Sequence, residues 1–210
     1  MKLKDILTES SKISGNTIDY MNCNDLIVPE KFNRIKDLPT LNVTNEVYLS
    51  YEPGNTYLDD DGVTHKSEQL EKLPVKFGTV GGFFSITMNK LSSFENFPRE
   101  IGGVLNIANN KFASLVGIHK VIKKCESINL AGNKIVEGGM GLLLIEGIKE
   151  ITTPTNDHVT CGRQRSIESY THSKDLPFII ISQYVGKGKR GMIDCQTELI
   201  KFGCKEFAKL

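Results

Sequence analysis

Between Val80 and Glu137 the alternation of apolar and polar positions returns three times, as VGGFFSITMNKLSSFENFPRE, IGGVLNIANNKFASLVGIHKV and IKKCESINLAGNKIVEG. Each unit holds two apolar residues spaced two apart: Phe84 and Ile86, Leu105 and Ile107, Ile128 and Leu130. That spacing puts both side chains on one side of a short strand and their neighbours on the other. Asn89, Asn110 and Asn133 follow three positions later, each before a Lys and another apolar residue, with steps of 21 and 23 residues between them. At that point the backbone must bend with its polar groups turned inside. An amide side chain can pair those groups and spare the cost of burying them alone, so the three asparagines are expected to form a ladder.

A period of this length is that of leucine-rich repeats, in which every unit adds one strand to a stack sharing a single interior. The fold class expected is therefore α+β: a short leucine-rich-repeat-like β solenoid over residues 73–152, with an irregular N-terminal β cap and a C-terminal helical hairpin. Leu91, Phe112 and Ile135 should re-enter the core, followed by Phe94 and Leu115. Gly81-Gly82 and Gly102-Gly103 precede the first two strands, where a tight turn can use positive φ. Lys90, Lys111 and Lys134 recur with the unit and read as a solvated row protecting an open edge.

The flanks are less regular. Residues 1–72 form the tail and cap: Leu3, Ile6 and Leu7 suggest a short helix or loose end, and Leu26-Ile27-Val28 a strand. Val47, Leu49 and Tyr51 alternate with polar neighbours, as in antiparallel strands covering the first repeat. After Asn133 the pattern decays into a closing half-repeat around Leu142 and Leu144. Residues 153–210 read as a linker and a helical hairpin. Asp175 is placed to cap the first helix with Pro177 in its first turn and Phe178, Ile181 and Val185 on one side, although Ile179-Ile180-Ile181 leaves a buried strand open. The second helix is expected from Gly191 to Lys201, with Ile193, Cys195, Leu199, Ile200 and Phe202 inward and Gly203 as its stop.

Composition narrows the function classes. A net charge of +1 over 210 residues gives no global pull toward nucleic acid or anionic lipid, and no segment reaches the apolar length of a membrane span. Five cysteines without a CxxC pair read as reduced thiols of an intracellular protein. The acidic run Asp59 to Gly62 lacks the ligand spacing of a calcium loop and reads as a hairpin turn. His158 and Cys161 lack the companions of a zinc site or an activated thiol. No metal, cofactor or catalytic residue is assigned.

The outward strand positions carry the functional choice. Phe83, Ser85, Thr87, Val104, Asn106, Ser127 and Asn129, with Ala108 and Ala131, make a small neutral face without a single charge. This suits a protein partner, with Phe83 as anchor, better than a nucleic acid, which requires clustered Lys and Arg. The alternative site is GKGKRG, where Lys187, Lys189 and Arg190 precede a helix start that favours anions; Arg163 and Arg165 would assist it.

The stretch LPVKFGTVGGFFSITMNKLSSFENFPREIGGVLNIANNKFASLVG resembles the degenerate leucine-rich repeats of uncharacterised proteins from large tailed bacteriophages. GKGKRGMIDCQTELIKFGCKEFAKL is similar to their C-terminal helix pair, and MKLKDILTES is phage-like. The resemblance covers about residues 73–210 and implies a non-enzymatic accessory protein of the host bacterial cytoplasm that binds a host or phage protein. It implies no catalytic residues.

Overall fold

The protein is described by a computed structural model over residues 15–59 and 61–210. The helix or tail expected within residues 1–12, and Asp60 of the acidic turn, lie outside the described residues. The chain enters as two consecutive short strands, β1 (Thr17–Ile18) and β2 (Met21–Asn22), followed by the helical turns α1 (Asn24–Ile27) and α2 (Pro29–Phe32). It then repeats the paired-strand unit as β3 (Leu41–Val43) and β4 (Val47–Tyr48). A hairpin of β5 (Thr56–Leu58) and β6 (Thr64–Lys66) is inserted before the next pair, β7 (Phe77–Val80) and β8 (Phe84–Ser85). After β9 (Glu100–Ile101) and β10 (Val104–Asn106) come the turn α3 (Ile118–Val121) and the single strands β11 (Ser127–Asn129), β12 (Glu150–Thr152) and β13 (His158–Thr160).

First strands join first strands and second strands join second strands. β1, β3, β7 and β9 form a four-stranded parallel sheet, continued by single bridges through Lys124 and Glu146. β2, β4, β8, β10, β11 and β12 lie side by side and parallel, and β13 pairs antiparallel with β12 to complete seven strands. The α+β class and the leucine-rich-repeat-like solenoid with its irregular cap are thereby corrected to an α/β architecture of two strand layers. The finding that overturns them lies largely before residue 73. Val47-Tyr48 is an inner parallel strand of the large sheet rather than an antiparallel cover, and β1 to β4 belong to the same two sheets as the later repeats. Leu26 and Ile27 are helical, because Asp25 accepts the Asn22 N–H at 2.8 Å and starts a turn there.

The interior is built from register. Met21, Val47, Phe84, Leu105, Ile128 and Ile151 stand next to one another across the large sheet, each at most 1% exposed. Aromatic rings pack within it: Phe77 meets Phe84 edge-on at 5.0 Å and Phe94 stacks on Phe112 at 4.7 Å. Burying each such side chain is worth about 1.5–3 kcal/mol.

The asparagine ladder is present. Asn89, Asn110 and Asn133 are buried and donate Nδ2 to the preceding unit at Leu49 O, Ile86 O and Ile107 O, over 2.8, 2.8 and 2.9 Å. Their Oδ1 atoms accept from Leu70, Leu91 and Phe112 N–H at 2.8, 3.0 and 3.1 Å. The glycine pairs have a different cause from the one expected, since neither uses a positive φ. A Cβ on Gly81 would lie 1.9 Å from Thr44 O, and one on Gly102 1.9 Å from Gly81 O. The corners are stacked too closely for any side chain. The left-handed residue falls instead just before each ladder asparagine, at Met88 (φ 59), Asn109 (φ 54) and Gly132 (φ 70). The lysine row is also corrected: Lys90, Lys111 and Lys134 donate their backbone N–H to Leu70, Leu91 and Phe112 carbonyls, so they stand on a paired line rather than an open edge.

At the far end the closing half-repeat is instead a 3-10 segment, Gly139–Leu144, with Leu142 buried and Leu144 exposed. α4 (Leu176–Tyr184) packs against it and against β12 and β13. Residues Leu176 to Gln183 are buried on every side, so the one-sided stripe expected there does not exist. The strand alternative for Ile179 to Ile181 is not adopted: Pro177 occupies the first turn, and Ser182 returns its hydroxyl to Ile179 O at 2.8 Å. Asp175 holds the cap position, but its carboxylate accepts from Thr155 instead of capping the helix. α5 (Gly188–Lys201) starts three residues earlier than expected and buries Cys195 and Leu199, while Ile193 and Ile200 face out. No helix among the described residues is long and apolar enough to cross a membrane.

Candidate functional site

Strand register dictates which side chains share the outer face of the large sheet. Reading across it, Asn22, Tyr48, Ser85, Asn106, Asn129, Thr152 and His158 form one row. Alternation places Tyr20, Glu46, Phe83, Val104, Ser127 and Glu150 on the same face two residues earlier. With strands about 4.8 Å apart, the row from Asn22 to Thr152 spans roughly 24 Å.

One end of this face is aromatic. Phe83 is 42% exposed, and Tyr20 and Tyr48 are 37% and 36% exposed. The two tyrosine rings lie 5.9 Å apart at a 42° tilt. Burial first, then Glu46, pushes the Tyr20 phenol above its ordinary pKa; burial first, then a hydrogen bond to Glu46, does the same for Tyr48. The Phe83 ring lies where a Cβ on Gly103 would come within 3.1 Å of it, so the second glycine of the corner makes room for this ring. The middle of the face is polar and uncharged. Asn106 and Asn129 fold Oδ1 back onto the N–H of Ala108 and Ala131, at 3.3 and 3.0 Å. Both residues are half-buried, and neither Nδ2 makes a hydrogen bond among the described residues. The far end closes with His158 Nδ1 at 2.6 Å from Glu150 Oε1 and 3.2 Å from Thr152 Oγ1.

Of the seven residues expected on this face, Phe83, Val104, Asn106, Ser127 and Asn129 occupy it with at least partial exposure. Ser85 is corrected: it is buried, its hydroxyl 3.1 Å from that of Ser50. Thr87 sits past the end of β8, its N–H on Ser50 Oγ and its carbonyl accepting from Tyr51 N–H. Ala108 is buried. The repeat pattern does not single out Tyr20, Tyr48 and Glu46. Their signal was the apolar pair Val47 and Leu49, which repeats the spacing of Phe84 and Ile86.

The other candidates resolve differently. GKGKRG is not a free loop, because α5 begins at Gly188 and takes Lys189 and Arg190 into its first turn. Lys187 stacks its ammonium 4.9 Å from the Tyr184 ring centroid. Gly186 and Gly188 border a cleft of ≈ 570 Å³ with Leu144, Ile148 and Cys161. Burial pushes the thiols of Cys125, Cys161 and Cys195 up to about 12, the opposite of what a nucleophile needs. Asp59 spends its carboxylate closing the β5–β6 hairpin, accepting from Asp61 and Val63 N–H and pairing with His65 Nε2 at 2.8 Å. That histidine is the first cause of its lowered pKa. Among the described residues no group of three His, Cys, Asp or Glu side chains is placed to hold a metal ion. No family model matches this chain, and neither a curated protein nor a solved structure is significantly similar to it.

Proposed function

We propose that this chain is a non-enzymatic interaction module that holds a protein partner on the outer face of its seven-stranded sheet. The setting is the one its phage-like sequence suggests, an accessory protein at work in the bacterial cytoplasm. The observation that carries the reading is the exposure of Phe83, 42%, beside Tyr20 and Tyr48 on a face whose central positions are uncharged. Large aromatic side chains left in water on a rigid support are the usual anchors of a protein contact. The test is capture of partners from bacterial lysate by the tagged chain, compared with Phe83→Asp and with Ile193→Asp on the exposed side of α5. A partner lost only with Phe83→Asp supports the reading. A partner that survives Phe83→Asp refutes it, and one released by nuclease and by neutralising Lys187, Lys189 and Arg190 replaces it with the nucleic-acid alternative.

A further inference from the structure

Resting on the protein-binding reading, we infer that the partner is engaged as a single proline-rich segment in the polyproline II conformation, with a Lys or Arg placed against Glu46. Size is the first argument. A face roughly 24 Å long and three strand residues wide, about 10 Å, offers some 240 Å². A stable interface between two folded domains needs about 800 Å² on each side. An extended segment fits the area that a second domain does not.

Hydrogen-bonding chemistry is the second argument. The Oδ1 atoms of Asn106 and Asn129 are committed to their own turns, which leaves the middle of the face offering donors. The Ser85 hydroxyl is already paired with Ser50. A β-strand partner must both donate and accept along its backbone. A polyproline II segment has no internal hydrogen bonds and exposes its carbonyls, and proline has no N–H to satisfy. Its turn of about 9.3 Å is close to two strand spacings, about 9.6 Å. One turn of the segment therefore spans the two strand spacings between the Tyr48 ring on β4 and the Asn106 amide on β10.

Shape and charge supply the third. Proline rings dock between aromatic side chains, and Tyr20, Tyr48 and Phe83 line the end of the face where such rings would sit. Glu46 stands among them, and no Lys or Arg shares either outward row, so a basic residue on the segment is the complementary choice.

The experiment is fluorescence anisotropy of the full chain with a labelled probe of three Pro-Pro-Leu triplets ending in Arg. A Gly-Ser probe with the same ending and a neutral β-linked glucan oligomer serve as comparisons. Saturable binding of the proline probe is expected, weakened at least about tenfold by Tyr48→Ala and by Phe83→Ala. Glu46→Gln should remove most of its salt dependence. Circular dichroism unchanged from wild type, and unchanged binding by Lys111→Ala, establish that the losses are local. Absence of saturable binding, equal binding of the Gly-Ser probe, insensitivity to Tyr48→Ala and Phe83→Ala, or binding of the glucan instead would overturn the inference. If the proline probe fails while lysate capture still depends on Phe83, the segment is wrong and the module stands; if both fail, both readings fall.

Discussion

Replacing Asn110 tests how the ladder holds the strand layers together. Its Nδ2 reaches Ile86, Ile107 and Ala108 carbonyls at 2.8, 3.1 and 3.2 Å, and its Oδ1 accepts from Leu91 N–H at 3.0 Å. In Asn110→Ala those carbonyls each keep another donor: Ile86 O has Asn89, Ile107 O has Asn133, and Ala108 O has Met88 N–H. Leu91 N–H, on a residue 1% exposed, is the group left orphaned. An unpaired buried donor costs about 1–3 kcal/mol, and the missing amide leaves a void worth about another 1 kcal/mol. A loss of about 3 kcal/mol is expected, roughly a hundredfold in the folding equilibrium. Asn110→Asp is the sharper perturbation. One carboxylate oxygen still serves Leu91, but the other faces three carbonyl oxygens, so the folded state favours the protonated acid and its pKa rises above the unfolded value of about 3.9. The folded state then binds more protons, and stability falls as pH rises from about 4. Urea unfolding followed by far-ultraviolet circular dichroism, the chain having no tryptophan, measures both at pH 4.5 and pH 7. The reasoning is refuted if Asn110→Ala costs under 1 kcal/mol, or if Asn110→Asp is no worse than Ala at pH 7.

Two further predictions follow from close approach and from burial. Gly102→Ala puts a Cβ 1.9 Å from Gly81 O, which backbone cannot yield without separating the stacked corners. It should abolish cooperative unfolding, whereas Gly162→Ala, where nothing lies within 4 Å but φ is +76, should cost only about 1 kcal/mol. The thiols of Cys125, Cys161 and Cys195, pushed from an ordinary value of 9.0 up to about 12 by burial, should react slowly with Ellman's reagent at pH 8 and readily once unfolded. Between those values the unfolded state binds fewer protons, so stability should decline as pH rises from about 9 towards 12; a flat alkaline limb would contradict it.

The sequence made the interior of the later repeats legible because their period is nearly constant. The inward residues Met21, Val47, Phe84, Leu105, Ile128 and Ile151 step by 26, 37, 21, 23 and 23. The 37-residue step contains the β5–β6 hairpin, an insertion that breaks the period while leaving the pairing of Val47 with Phe84 intact. Periodicity sees spacing along the chain, whereas hydrogen bonding sees only spacing across the sheet. Val47 and Leu49 therefore read as a strand of a cover, and the pattern does not single out Tyr20, Glu46 and Tyr48 on the face beside Phe83. The C-terminal helices failed differently. A helix buried all round has no polar side to reveal its phase, and on α5 the exposed Ile193 and Ile200 imitate an inward stripe.

The reversed strand β13 bears on how the large sheet ends. Stacked parallel edges that match each other head to tail invite contacts that never close, and such contacts grow into fibres. Here the last strand runs against its neighbour and α4 braces it. A second copy continuing the stack in the same sense would set its β2 antiparallel to β13, so the parallel register that links β2 to β12 is not carried on past this edge.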